Sequence, residues 1–212
     1  MKIAVCTMAI GEQYRHAVNQ CIQANKKYCQ YHGYDFIDFD DCPDNHKQIS
    51  WGKLQIVRYA AIQQKYQYVF WIDADAIFFD HNQRIEKYIE NADFTFSCDF
   101  WTPLCAGVWI AKVTDYLPTQ LQQWYDSPVN DTRLWEQSAI IADLPCSWQA
   151  SLQLAGIYQD FPIDTAITKA MMKHSNGNDD DYQTCLRMAR LGCFDPSYHF
   201  VCHFAGRNVE NK

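Results

Sequence analysis

Apolar residues in the first third of the chain come in short blocks separated by longer stretches of helical spacing. Lys2 to Met8 is an apolar run that stops before Gly11, the pattern of a first buried strand. Over residues 12–32, Val18, Cys21, Ile22 and Cys29 recur at helical spacing, and Gly33 supplies a C-terminal stop. Tyr34 to Asp40 alternates polar and apolar, the period of a half-buried strand. Residues 41–50 are polar, contain Pro43 and predict a loop. Residues 51–66 place Leu54, Val57, Ala61 and Ile62 on one face of a second helix. Tyr68 to Ile72 is a buried strand running into Asp73-Ala74-Asp75. Asp93 to Cys98 and Cys105 to Ala111 predict two more strands, residues 114–126, 132–142 and 179–191 helices, and Phe200 to Phe204 a last strand.

Strand, helix, strand, helix, strand implies an α/β domain with a mainly parallel central sheet flanked by helices. Ligands of such sheets bind outside the carboxyl ends of the strands. Gly11 and Asp73-Ala74-Asp75 both lie at such ends and are expected to share one crevice. The chain has 212 residues, enough for one large domain or two closely packed halves. No repeat or linker is evident, and Asn176 to Asp181 is the one strongly polar, turn-rich stretch.

The net charge of −7 argues against a nucleic-acid partner, which needs clustered lysine and arginine. Aromatic residues make up 15% of the chain, enough for a well-packed core or for rings that stack on the apolar faces of sugars. None of the ten cysteines is paired at C-x-x-C spacing, and Cys6, Cys98 and Cys202 lie in apolar runs. They read as buried thiols, which points to a reducing compartment, the cytoplasm. No run approaches the ~18 apolar residues of a membrane span, and the opening run is too short for a signal peptide.

The chemistry centres on Asp73 and Asp75. Two residues apart in an extended segment, their side chains point the same way. Delivered by five apolar residues, they carry a cost of burial that a cation between them would relieve. Hard oxygen ligands suit magnesium or manganese. The alternative is a pair of loop aspartates that cap the next segment. Lys53, near a helix start, is placed to meet an anion or to be an ordinary solvated lysine. Arg58, five residues on, falls on a different face of that helix. A phosphate-binding G-x-G-x-x-G is absent, which disfavours a dinucleotide.

Five motifs in order carry a resemblance. Phe70-Trp71-Ile72-Asp73-Ala74-Asp75-Ala76-Ile77-Phe78 resembles the DxD motif of glycosyltransferases with the GT-A fold, above all the galactosyltransferase and xylosyltransferase family that builds galactomannan and xyloglucan side chains. Trp51-x-Lys53 followed by Arg58, Cys105-Ala106-Gly107-Val108-Trp109-Ile110, Trp135-Glu136-Gln137-Ser138-Ala139 and His203-Phe204-Ala205-Gly206 resemble the same family's successive motifs. The chain departs from it in its length, in lacking a membrane anchor, and in Glu136 where an aspartate is usual. Its length would also suit one domain of a larger multidomain chain.

The resemblance implies transfer of a hexose or deoxyhexose from a UDP-sugar to a glycan acceptor, with manganese or magnesium and with retention of configuration. It implies that residues 1–100 bind the donor and 101–212 the acceptor. Asp73, Asp75 and His203 become the metal ligands, His203 as a neutral imidazole. Thr7, Ala9 and Gly11 line the nucleoside, Lys53, Arg58, Asp73, Gly206 and Arg207 the ribose and diphosphate, and Ala106 and Gly107 the donor sugar. Glu136 and Gln137 stand at the catalytic end. An inverting enzyme would need Glu136 or another carboxylate as general base. Two other classes fit parts of the pattern. A haloacid-dehalogenase-type phosphohydrolase would use Asp73 as nucleophile with Asp179-Asp180-Asp181 as its later acidic cluster. A non-catalytic nucleotide-sugar or glycan-binding module would keep the aromatic residues but have no use for Glu136-Gln137.

Overall fold

The computed structural model describes residues 1–43, 46–63, 65–89, 92–97, 104–129, 133–143, 149–151, 155–157 and 200–203. Strand β1 (Ile3–Met8) leads into α1 (Glu12–His32), which ends where Gly33 turns left-handed at φ 76°. β2 (Asp35–Phe39) follows, then a loop closed by a 3-10 turn, Ile49–Trp51, and α2 (Gly52–Ile62). β3 (Tyr68–Ile72) delivers Asp73, and β4 (Ala76–Phe78) begins three residues later. β5 (Phe94–Ser97), β6 (Cys105–Lys112), α3 (Leu117–Asp126) and α4 (Glu136–Asp143) complete the larger part. β7 (Gln149–Ser151), β8 (Ala155–Ile157) and β9 (Val201–His203) are the remaining described strands.

Six strands form one sheet in the order β2-β1-β3-β6-β5-β7. β1 runs parallel to both β2 and β3, and β5 parallel to β7, while β6 runs antiparallel to β3 and β5. One reversed strand in an otherwise parallel set agrees with the expected α/β architecture. Both faces of β1 and β3 are buried. Ala4, Cys6, Val69 and Trp71 pack towards the cluster that holds Leu54, Val57, Leu121 and Trp124 of α2 and α3. Ile3, Val5, Phe70 and Ile72 pack on the other side with Tyr28 and Cys29 of α1, Phe78 and Val201. Continuous apolar runs, rather than alternation, mark strands covered on both faces.

Of a second sheet, β4-β9-β8, the pattern showed only β9, which lies within the expected strand Phe200 to Phe204. Its strands are three residues each, below the length at which a period can be read. α2 stops at Ile62, short of the expected residue 66, and α4 starts at Glu136 rather than at 132. The expected helix over 179–191 lies outside the described residues. Among the described residues, no helix is long and apolar enough to cross a membrane.

α1 is tied to the second sheet by one buried amide. Asn25 Nδ2 donates to the Ala76 carbonyl at 2.8 Å, and its Oδ1 accepts from Phe78 N–H at 3.0 Å. These bonds close the free edge of β4, directly after the aspartate pair. Asn25→Ala leaves two buried backbone groups unpaired and should cost about 2–3 kcal/mol. Urea unfolding with an unchanged slope and a lower midpoint would show it.

Candidate metal and donor site

Asp73, Asp75 and His203 converge. One ligand atom from each lies within 4.8 Å of the others. His203 Nε2 stands 3.3 Å from Asp75 Oδ1 and 3.7 Å from Asp73 Oδ2. The expected means of convergence was an extended chain, and the structure corrects it. Asp73 leaves the strand, and Ala76 N–H donates to its carbonyl at 3.0 Å, closing a turn over Ala74 and Asp75. Buried Ala74 packs with Ala9, Val18 and Ile22 and so anchors that turn on α1.

His203 arrives by strand pairing. β9 runs antiparallel to β4 with His203 opposite Ala76, the residue after Asp75. Phe79 N–H donating to the Phe200 carbonyl at 2.9 Å extends the ladder. A residue from the far end of the chain is thereby registered on the DxD turn.

The two oxygens of Asp73 do different work. Oδ1 accepts from the Trp71 indole N–H at 2.6 Å and meets Lys53 Nζ at 3.1 Å. Oδ2 faces His203. Lys53 is buried, not a solvated surface lysine. It also bonds Glu136 Oε1 at 2.8 Å and the Ala106 carbonyl at 3.2 Å. Burial works against its charge, but Asp73 and Glu136 outweigh burial and hold the ammonium above its usual range. Glu136 is itself buried, and its Oε2 has no hydrogen-bond partner among the described residues. Gln137 Oε1 accepts from Ala106 N–H at 2.8 Å. Both side chains begin α4 directly after Trp135, whose φ of 48° is an unusual conformation for a bulky residue.

Gly107 makes room for the cluster. A Cβ built there would lie 2.3 Å from His203 Cε1 and 2.9 Å from Asp73 Oδ2. Its carbonyl accepts from Asp73 N–H at 2.8 Å, fixing β6 against the end of β3. Two carboxylates and an imidazole around such a cradle suit manganese or magnesium. The expectation of an ordinary neutral imidazole is corrected. Burial of His203 opposes its charge, but Asp75 and a contact to Cys105 outweigh burial and raise its pKa well above the usual histidine value.

Thr7 and Ala9, expected at the nucleoside, are buried at the carboxyl end of β1. Gly11 lies in the open with φ 86°, so conformation rather than close approach requires glycine there. Half-buried Arg58 makes no contact among the described residues that carries it to the aspartates. Gly206 and Arg207 lie outside the described residues. Three other participants went unnoticed in the sequence. Trp71 orients Asp73, a contact implied by its position two residues earlier on the same strand face. Tyr14 packs against the cluster that holds Ala74, and burial with the charges of Asp75 and Asp73 pushes its phenol upward. Arg15 pairs with Asp38 and bonds the Ala9 carbonyl at 3.3 Å, linking the ends of β1 and β2.

Comparison with known proteins agrees with this geometry. Residues 2–94 match the galactosyl transferase GMA12/MNN10 family. Within the structures, a glycosyltransferase involved in glycosylation of the major capsid of PBCV-1 superposes with a TM-score of 0.67 at 16% identity, covering 98% of this chain and 95% of the other. The chain resembles this family over residues 2–94 and shares the fold of that solved glycosyltransferase. A curated relative, the probable xyloglucan 6-xylosyltransferase 5 of Arabidopsis thaliana, is 23% identical over 226 residues, covering 95% of this chain and 48% of the relative. The chain thus spans about half the length of that protein. The apo-form glycosyltransferase GlyE of Streptococcus pneumoniae TIGR4 superposes with a TM-score of 0.56 at 13% identity, over 100% of this chain and 56% of the other. In this GT-A domain Asp73 Oδ1 is already engaged by Trp71 and Lys53, which ill suits the nucleophile of a phosphohydrolase. Asp179-Asp180-Asp181 lies outside the described residues.

The buried lysine offers a test of the site's internal balance. Lys53→Met strands Glu136 and Asp73 and should destabilise the fold by about 3–5 kcal/mol. Lys53→Met/Glu136→Gln should recover a substantial part of that loss. Denaturant titration of the two variants would measure both.

Proposed function

We propose that the chain transfers a hexose or deoxyhexose from a UDP-sugar to a glycan acceptor, with retention of configuration and with manganese or magnesium. The observation that carries this reading is the convergence of Asp73 Oδ2, Asp75 Oδ1 and His203 Nε2 on a cradle that only glycine at 107 leaves open. A divalent cation held there stabilises the charge that develops on the leaving diphosphate.

Asp73 would offer the cation its Oδ2, since Trp71 and Lys53 engage Oδ1 more closely. Lys53 is ion-paired to Asp73 and Glu136 while lying too deep to reach bulk solvent. Ala106 and Gly107 present bare backbone to the donor sugar, and Gln137 holds that backbone still through Ala106 N–H. Glu136 Oε2, buried and unpartnered, is an acceptor for a sugar hydroxyl. Its other oxygen, Oε1, is engaged by Lys53, so it is not free to accept an acceptor proton through that atom, as an inverting route would ask. In the retaining route the anomeric carbon–phosphate oxygen bond breaks. The acceptor oxygen bonds the same face, and its proton passes to the leaving phosphate.

Residues 1–100 form the donor half, with Thr7, Ala9, Gly11 and Arg58 on the nucleotide side. Residues 101–212 form the acceptor half, and the resemblance assigns Gly206 and Arg207 to the phosphates. Among the described residues, Cys6, Cys21, Cys29 and Cys105 are buried free thiols, which suits work in the cytoplasm. The half-length match to the plant relative suits a domain within a larger chain.

Donor hydrolysis and transfer, assayed over a panel of nucleotide sugars with and without Mn2+, test the reading. Asp75→Asn should abolish both activities and the Mn2+-dependent part of nucleotide binding while the thermal midpoint stays near that of wild type. Metal-independent turnover near the wild-type rate in that variant would reject the proposal. Cation binding must also displace the proton from His203. Affinity for Mn2+ should therefore climb as pH rises towards the raised imidazole pKa and level off above it. Calorimetry across a pH series would record this.

A further inference from the structure

We propose that Cys105 is a positioning residue that fixes His203 with Nε2 free to bind the cation. This rests on the metal-dependent reading above and assigns a role to a residue that no motif chemistry requires.

The placement begins with an irregularity in the sheet. Phe96 pairs with Trp109, but the next residue, Ser97, pairs with Cys105, so residues 106–108 form a bulge. Ser97, fully buried, bridges the bulge by donating from Oγ towards the Cys105 and Val108 carbonyls at 3.3 and 2.9 Å. Bulges re-aim side chains next to functional sites. Here the bulge brings Cys105 Sγ to 3.7 Å from His203 Nδ1 and leaves Gly107 as the floor of the cradle.

The direction of that contact follows from chemistry. Nε2 faces both aspartates, so Nε2 is the nitrogen that meets a cation. A ligating imidazole nitrogen carries no proton, so the neutral ring keeps its proton on Nδ1. The nearest acceptor for it is the Cys105 sulfur. That sulfur already acts as an acceptor, because Gly107 N–H points to it at 3.4 Å. Metal-bound histidines commonly give their second N–H to a carboxylate or a carbonyl, and that partner sets both tautomer and ring angle. A thiol in its place is a softer and longer acceptor.

The test measures Mn2+ affinity by the loss of the free-ion electron paramagnetic resonance signal. Wild type, Cys105→Ala and Cys105→Ser are compared, with Asp75→Asn as the zero reference. Cys105→Ala should bind Mn2+ about tenfold more weakly, in the range lost with such outer partners. Cys105→Ser keeps an acceptor and should recover part of the loss. A residue that only fills space would rank the two the other way, because serine puts a polar group in a buried apolar niche. Equal affinity of Cys105→Ala and wild type, or Ser binding no better than Ala, would overturn the inference. If Cys105→Ala does not fold, nitrogen-15 correlation spectra of Mg2+-loaded wild type decide. A protonated Nδ1 supports the inference and a protonated Nε2 overturns it. Wild type that binds no Mn2+ would sink the functional reading and this inference together, whereas binding that is indifferent to Cys105 sinks this inference alone.

Discussion

Asp73, Asp75 and Glu136 meet at the carboxyl end of β3, and the ammonium of Lys53 is buried between two of them. Carboxylates at such a place repel one another and lose hydration, so they persist only where fixed positive charge or donors compensate. Lys53 compensates Glu136 and one side of Asp73. Asp73 Oδ2, 3.5 Å from Lys53 Nζ, and Asp75 Oδ1 also face His203. That division leaves one side of the cluster neutralised by the protein and the other suited to a cation. It also explains why a lysine at the start of α2 is buried at all.

The rest of the fold holds this charge pattern in register. β3 sets Asp73, the turn over Ala74 sets Asp75, and the β4–β9 ladder sets His203. The bulge in β6 brings Gly107 and Cys105 beneath the imidazole. α4 contributes Glu136 and Gln137 at its first two positions, where each reaches back to α2 or β6. Four separate parts of the chain thus converge on a space in which one added methyl, at Gly107, would collide with a ligand.

The strands and helices up to residue 126 were largely legible, because blocks of five or more apolar residues and helices of three turns carry a clear period. The DxD pair and its neighbours could be named as ligands for the same reason: carboxylates after a buried strand are costly without a partner. Other features were hidden. β9 was expected as a strand, but β4 is too short to show alternation, so the pairing that brings His203 to Asp75 could be taken only from resemblance. Helical periodicity could not tell a buried Lys53 from a solvated one, because its burial depends on Glu136 more than eighty residues away. Cys105 looked like a small hydrophobe in an apolar strand, and only the bulge turns its sulfur towards a histidine. The convergence of Asp73 and Asp75 was expected for a wrong local reason, since a turn rather than an extended segment brings them together.

The central claim is that His203 and the aspartate pair hold one cation. Pulsed electron paramagnetic resonance of Mn2+ added in equimolar amount reads the nuclei bound to that ion. The account predicts modulation from a single imidazole nitrogen in wild type that disappears in His203→Gln. Bound Mn2+ without nitrogen coupling in wild type, or with coupling retained in His203→Gln, would contradict it.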